Sequence, residues 1–189
     1  MLAQIDVTHI RIETDRLILR PWQVSDLQDL NAYASVPGVG EMAGWIHHKS
    51  MDESRAILDM FIREKKTLAL VLKENGKVIG SLGLEEFDPT DPHGEDKQGR
   101  EIGYVLSKDH WGRGLMPEAV RAVISYCFET LGFDYVTCSH FTRNPQSRRV
   151  IEKTGFHFLE ESFFDTRYGT REATRYYIQY NPRKEINHV

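Results

Sequence analysis

Apolar residues along this chain alternate between two spacings, one typical of strands and one typical of helices. Short apolar runs bounded by proline, glycine or charged residues predict strands, and apolar residues three and four apart predict helices. The predicted strands cover residues 17–21, 68–72, 78–87, 101–107, 135–141, 156–164 and 173–180. The first predicted helix begins after Ser25, which we take as its N-cap. Three further predicted helices cover residues 52–66, 117–131 and 144–155.

The order of these elements predicts the fold class. One strand and two helices precede a three-strand meander, whose first turn is Asn75-Gly76, a strong hairpin signal. A helix, a strand, a helix and a final hairpin follow. An acidic loop at 89–99 interrupts the meander, and no repeat or interdomain linker is evident. We therefore predict one α+β domain over residues 1–189, with its core at about 13–180.

Composition narrows the classes of function. The chain has 189 residues, a formal net charge of −4 and 28% charged residues, which disfavours a general nucleic-acid binder. No apolar run approaches the ~20 residues of a membrane span, and no signal peptide is evident, so we expect a cytoplasmic protein that binds no membrane. Cys127 and Cys138 lack CxxC spacing and are expected to be reduced core thiols.

The segment 111–118, Trp-Gly-Arg-Gly-Leu-Met-Pro-Glu, is the clearest chemical motif. Its two glycines lie between a predicted strand and a predicted helix. Glycine lets a ligand approach the backbone, and the first N–H groups of a helix have no intrahelical acceptor, so the turn suits an anion. Neither the Walker pattern nor the dinucleotide fingerprint is present. A tight turn without a ligand is the alternative interpretation.

Four segments in order resemble the GNAT N-acetyltransferase superfamily: 101–106, 111–119, 144–147 and 152–156. The segment 16–21, followed by Ser25-Asp26, resembles the start of its RimJ/RimL-like branch, which includes enzymes that acetylate ribosomal proteins. The resemblance implies a mixed, largely antiparallel sheet flanked by helices. It also implies acetyl-CoA as the acetyl donor.

The resemblance further implies where acetyl-CoA binds. Backbone N–H groups of the glycine turn would hold the pyrophosphate at a helix N-terminus. Strand residues before the turn and the residues that begin the next helix would hold the pantetheine arm. The implied cofactor-binding residues are Val105, Leu106, Trp111, Gly112, Arg113, Gly114, Leu115, Met116, Asn144 and Ser147. Asn144 is equally an N-cap before Pro145. A basic edge is formed by Arg148, Arg149 and Lys153. It either contacts the adenosine phosphate or is a helix face that binds no ligand.

Glu101 is the candidate general base, since some family members place a catalytic glutamate near this position. Glu85 and Glu86 are alternative candidates for the base. The alternative interpretation of Glu101 is a solvated carboxylate at the start of a strand, without a catalytic role. Ser147 is the candidate acid. Many relatives have a tyrosine seven residues after the motif asparagine, whereas this chain has Ile151. Ser147 lies one helical turn earlier, on the same face. Ser147 either protonates the leaving thiolate, orients it, or only accepts hydrogen bonds from backbone N–H groups at the start of the helix.

These observations predict an acetyl-CoA-dependent N-acetyltransferase that works by direct attack in a ternary complex. The acceptor is a primary amine, most simply a protein N-terminus. A small amine such as an antibiotic or polyamine, and an inactive acyl-CoA-binding module, are the alternatives. Trp45, His47 and His48 are candidates for the acceptor cleft, and their spacing does not support a metal. Phe163, Phe164, Tyr176 and Tyr177 are expected in the core or in a homodimer interface.

Overall fold

The computed structural model describes residues 3–86 and 97–184. Its strands are β1 (Ile12–Glu13), β2 (Leu17–Pro21), β3 (Thr67–Leu72), β4 (Val78–Glu85), β5 (Gly99–Leu106), β6 (Tyr135–Phe141), β7 (His157–Asp165) and β8 (Arg171–Tyr180). Its α-helices are α1 (Leu27–Ala34), α2 (Met51–Glu64), α3 (Leu115–Glu129) and α4 (Pro145–Lys153). The end of the predicted strand 78–87 and most of the predicted loop 89–99 lie outside the described residues.

The strands form one sheet in the order β1-β2-β3-β4-β5-β6-β8-β7. Every neighbouring pair is antiparallel except β5 and β6, which are parallel. Helices cover the sheet, so the predicted mixed α+β fold is confirmed. Within residues 3–86 and 97–184, no helix is both long enough and apolar enough to span a membrane.

The sheet has a hydrophobic cluster on each face. Strand β3 is buried along its whole length and supplies both clusters, because successive side chains point to opposite faces. Leu68 and Leu70 pack in the cluster that contains α3, and Ala69 and Val71 pack in the cluster with α1 and α2. Burial of each leucine side chain contributes roughly 1.5–3 kcal/mol, so both helical layers are firmly attached to this strand.

Several element ends differ from prediction. Helix α3 begins at Leu115, two residues before the predicted start, because Gly114 adopts the left-handed conformation that serves as its N-cap. Ser25 does not cap a helix. It lies in a 3₁₀ turn, Val24–Asp26, where the buried Asp26 carboxylate accepts from Gln23 N–H and pairs with Arg20.

Some predicted placements of side chains are confirmed and others are wrong. Cys127 and Cys138 are free and buried, and burial raises the pKa of Cys127 to about 12. Tyr176 and Tyr177 are buried as expected. Phe163 is 58% exposed on β7, so of its two expected places it is not in the core, and the homodimer interface stays a prediction. β7 lies at the edge of the sheet, where only one neighbouring strand covers it.

Candidate active site

The site lies where β5 and β6 separate. The two strands pair only over three positions, Gly99 with Tyr135 through Glu101 with Thr137. Beyond Glu101, β5 continues along β4 while β6 stays paired with β8. A cavity of about 970 Å³ lies along the resulting wedge. Both walls are formed by strand ends, so side chains and free backbone groups from opposite strands face one space.

The glycine turn lies at one end of this cavity. Gly112 and Gly114 both have φ of +75°, a region that favours glycine. Gly112, Gly114, Leu115 and Met116 line the cavity. The side chains of Leu115 and Met116 are buried in the core. Their backbone N–H groups have no intrahelical acceptors because they lie in the first turn of α3. This end of the cavity is therefore suited to a phosphate-bearing ligand.

Arg113 and Trp111 have different places in this turn. Arg113 is exposed and is not among the residues that line the cavity. Its carbonyl accepts a hydrogen bond of 2.9 Å from Arg16, which also pairs with Glu118 on α3. Trp111 lines the cavity, and its indole Nε1 donates to the carbonyl of Leu106 at 2.8 Å. Arg16 and Trp111 therefore hold the turn against the sheet, a role that sequence reasoning did not assign to Arg16.

Backbone direction distinguishes Val105 from Leu106. Ser107 N–H donates to Ile79 on β4, so residues of odd number on β5 turn their backbone groups towards β4. The Val105 carbonyl lies against Gly80, where a Cβ would be 2.3 Å from its oxygen. The predicted role of the Val105 backbone is therefore corrected. The edge that faces the wedge belongs to Tyr104 and Leu106.

Glu101 lies at the apex of the wedge. Its Oε1 accepts a 2.6 Å hydrogen bond from the hydroxyl of Ser139 on β6. Glu85 is its register partner on β4 and also lines the cavity. Burial is the main cause that raises the pKa of Glu101 to about 7; the Ser139 hydrogen bond lowers it, and the charge of Glu85 raises it. A carboxylate of this pKa exchanges protons near neutral pH.

The other two candidate bases differ in their surroundings. Glu85 is paired with Lys66 at 2.8 Å. Glu86 is exposed at the end of the described segment. Neither is as deeply placed in the wedge as Glu101.

Ser147 lies in the first turn of α4 and lines the same cavity as Glu101. The Asn144 side chain accepts from Ser147 N–H at 3.1 Å, which confirms Asn144 as the N-cap. The amide nitrogen of Asn144 donates to the carbonyl of Met42 at 3.2 Å. The Ser147 hydroxyl lies 2.8 Å from the hydroxyl of Tyr104. Ile151 is fully buried, so Ser147 is the residue of this pair that reaches the cavity.

Aromatic residues and a histidine line the opposite end of the cavity. The rings of Trp45 and His48 pack at a tilt of 45° with centroids 5.2 Å apart, and both residues line the cavity. His48 is held by Ser54 at 2.8 Å, and burial lowers its pKa. Phe164, which was expected in the core or in a homodimer interface, lines this end too. His47 instead pairs with Glu41, and the described ranges contain no group of three potential metal ligands.

The predicted basic edge is divided. Arg149 and Lys153 line the cavity on α4. Arg148 pairs with Glu152 at 2.7 Å and is not part of the lining. Positive charge at the cavity therefore comes from two of the three predicted residues.

Comparison with known proteins adds independent evidence. Residues 16–157 match the family described as acetyltransferase (GNAT) domain. The uncharacterized N-acetyltransferase YoaA of Bacillus subtilis is 27% identical over 181 residues, covering 92% of this chain and 98% of the relative. A GNAT-family acetyltransferase structure from Bacillus anthracis superposes with a TM-score of 0.79 at 18% identity, covering 91% of this chain and 99% of that one.

Two further structural neighbours have named acceptors. Ribosomal-protein-S5-alanine acetyltransferase from Vibrio fischeri has a TM-score of 0.71 at 18% identity, with 94% and 100% of the two chains covered. Spermidine N-acetyltransferase from Vibrio cholerae, in complex with CoA and spermine, has a TM-score of 0.71 at 16% identity, with 89% and 97% covered. At these identities they support the fold alone. With the family match over most of its length and a glycine turn at a helix start beside a splayed strand pair, this chain belongs to the GNAT family and is an acetyl-CoA-dependent N-acetyltransferase.

Proposed function

We propose that this enzyme acetylates the α-amine of a protein or peptide, as in the RimJ/RimL-like branch, with Glu101 as general base and Ser147 at the leaving thiol. The observation that carries the proposal is that two groups of complementary chemistry line one cavity. A half-buried carboxylate with a pKa of about 7 lies on β5, and the hydroxyl of Ser147 lies at the start of α4. The amide cradle at Gly112–Met116, with the β5 edge of Tyr104 and Leu106, would hold the donor between them.

The reaction moves one acetyl group from sulfur to nitrogen and begins once the α-ammonium has lost its first proton to Glu101 and Glu101 has released it to solvent. The neutral amine nitrogen forms the new C–N bond to the acetyl carbon, and the ionised Glu101 takes the second proton from that nitrogen, directly or through water. The C–S bond then breaks, and sulfur leaves with its electron pair. Sulfur takes the Ser147 proton, and water in the open cleft returns a proton to the serine oxygen. Glu101 releases its proton to solvent, which completes the balance.

The basicity of Glu101 favours an α-amine over a lysine side chain. A base with a pKa of about 7 lies ~1 unit below an α-amine of pKa ~8, a cost of ~1.4 kcal/mol. A lysine amine of pKa ~10.4 lies more than 3 units higher, a cost of roughly 4–5 kcal/mol. Glu101 is therefore matched to an amine that is already partly neutral at pH 7.

The charges at the acceptor end support the same choice. Glu64 and Glu85 both line the cavity, and both pair with Lys66, at 3.4 and 2.8 Å. A polyamine would have to compete with this lysine for the two carboxylates. A polyamine acceptor remains the second candidate function, because the spermidine enzyme has the same fold.

Release of free thiol from acetyl-CoA tests the proposal. Three substrates are compared at equal concentrations and pH 7. They are a peptide with a free N-terminus and no lysine, a peptide with a blocked N-terminus and an internal lysine, and spermidine. We expect the free N-terminus to react fastest. A preference for spermidine would assign the second function, and binding of acetyl-CoA in calorimetry with no turnover on any amine would refute both.

Ser147→Ala tests the assigned role of the serine. We expect it to reduce the rate of thiol release much more than the affinity for acetyl-CoA. An equal loss of both would assign Ser147 to cofactor binding alone.

Location and assembly complete the proposal. A cytoplasmic location agrees with two free cysteines, since a reducing compartment preserves thiols. Homodimer formation through β7 is consistent with its place at the sheet edge and with Phe158 and Phe163, which are 57% and 58% exposed. Sedimentation of the wild type and Phe163→Glu tests it, and a monomeric wild type would refute it.

A further inference from the structure

Tyr104 is a half-buried polar residue that the reaction above does not use. It lies near the end of β5, on the edge that faces the wedge, and it lines the cavity. Its hydroxyl is 2.8 Å from Ser147 Oγ and 3.2 Å from the Ser147 carbonyl oxygen. The thiol of Cys138 on β6 also neighbours this hydroxyl. Tyr104 therefore contacts the serine that we assign to the leaving thiol.

The number of available protons decides how this contact is used. A tyrosine hydroxyl has one proton to donate, and so does a serine hydroxyl. The Ser147 carbonyl lies inside α4, where the N–H of Ile151 is its regular helical donor. The Ser147 hydroxyl oxygen is closer and has no such donor. The Tyr104 proton is therefore best directed at Ser147 Oγ.

This direction matters for the chemistry. When Tyr104 donates to Ser147 Oγ, the serine hydroxyl cannot donate back to Tyr104. Its proton is then free to point into the cavity. The Ser147 N–H is already accepted by Asn144, so the backbone of the serine is fixed as well. Tyr104 thus contacts the hydroxyl of Ser147, and Asn144 holds the backbone of the same residue.

We propose that Tyr104 is a positioning residue that donates its hydrogen bond to Ser147 Oγ and so directs the serine proton towards the sulfur of acetyl-CoA. This proposal rests on the proposed function of Ser147 and extends it to a residue 43 positions earlier in the chain. Tyr104 transfers no proton itself in this arrangement. Burial raises its pKa well above the ordinary value, which keeps its hydroxyl a neutral donor throughout the working pH range.

A double-mutant cycle in thiol release tests the positioning role. We expect Tyr104→Phe to lower kcat about three- to tenfold and to change KM for acetyl-CoA less than twofold. In a Ser147→Ala background, Tyr104→Phe should have no further effect, since the group that it positions is gone. Additive losses would overturn the proposal and show that Tyr104 acts on the substrate directly. Cys138→Ala, which removes the other neighbour of the Tyr104 hydroxyl, should keep kcat within twofold.

A second measurement needs no turnover and keeps the two proposals separable. In S147C, the rate of alkylation by iodoacetamide against pH reports the pKa of the introduced thiol. A hydrogen bond from Tyr104 stabilises the thiolate, so adding Tyr104→Phe should raise that pKa by at least half a unit. The buried Cys127 and Cys138 provide the background rate in the protein without S147C. An unchanged pKa would refute the positioning role even if the enzyme acetylates N-termini. A raised pKa would support it even if the acceptor proved to be a polyamine.

Discussion

The hydroxyl of Ser139 donates a 2.6 Å hydrogen bond to Glu101 at the point where β5 and β6 separate. The bond joins residues 38 positions apart and crosses the one parallel contact of the sheet. It stabilises the ionised form of Glu101, whereas burial and the facing Glu85 favour the protonated form. The balance among these three effects sets the pKa of the proposed base.

The first prediction concerns the pH dependence of the rate. Because Glu101 must be ionised to accept a proton and its pKa is raised to about 7, activity should fall as the pH drops through 7. Glu101→Gln should lower kcat/KM at pH 8 by about 10²–10⁴-fold, the usual contribution of a general base, and should flatten the acidic limb. A rate–pH profile with an unchanged acidic limb in this variant would remove Glu101 as the base.

The second prediction uses the two neighbours of Glu101, which act in opposite directions. Ser139→Ala removes a hydrogen bond that lowers the pKa of Glu101, so the acidic limb should move to higher pH. Glu85→Gln removes a negative charge that raises this pKa, so the limb should move to lower pH. Rate–pH profiles of the two variants measure both shifts. Movement in the same direction would show that these side chains do not act through Glu101.

The third prediction concerns stability and requires no substrate. The pKa of Glu101 in the folded state is raised above the ordinary value of 4.5, so its contribution to stability is present below pH 4.5 and is lost as pH rises through about 7. Glu101→Gln should therefore raise the melting temperature more at pH 8 than at pH 5. Thermal unfolding at the two values checks the difference. Equal changes at both would contradict a raised pKa.

The fourth prediction separates cofactor binding from backbone strain. Gly112 and Gly132 have φ of +75° and +68°, and a Cβ at either would meet no atom within 4 Å. Alanine at each should cost a similar ~1–2 kcal/mol of unfolding free energy. Only Gly112→Ala should also raise KM for acetyl-CoA, because relaxing its φ would re-aim the N–H groups of the turn. A similar rise in KM for Gly132→Ala would refute the assignment of the cradle.

The fifth prediction concerns the wall of the acceptor end. Arg143 pairs with Glu172 at 2.9 Å and donates to the carbonyl of Glu41 at 2.9 Å, which attaches the 3₁₀ turn Gly40–Ala43 to the start of α4. Arg143→Ala should raise KM for the amine several-fold and leave KM for acetyl-CoA unchanged, since Gly44 and Trp45 follow this turn into the cavity. Arg183→Ala, which breaks an exposed pair with Glu129, is the control. A change in KM for acetyl-CoA alone would contradict the prediction.

The residues of the site differ in whether the sequence alone could predict them. The glycine turn and the Asn144 cap were predictable because their physics is local: left-handed glycine, a helix start and a side chain that bonds three residues ahead. Glu101 and Ser147 were named from spacing and resemblance, and both line the cavity. Val105 was assigned the wrong backbone direction, since strand pairing decides which alternate residues face a neighbour. Tyr104, Ser139 and Arg16 were missed because their partners lie 43, 38 and 102 residues away.

The sequence by itself determined the α+β class, the glycine turn that precedes α3 and the use of acetyl-CoA, since short-range backbone preferences and ordered motifs encode them. Only the tertiary structure decided what Glu101 and Ser147 can do. A pKa depends on burial and on charges brought near by folding, and a hydroxyl proton points where distant partners allow. The separation of β5 from β6 determines the pKa of Glu101 by enclosing it. The same separation leaves Tyr104 in contact with Ser147, which directs the hydroxyl proton.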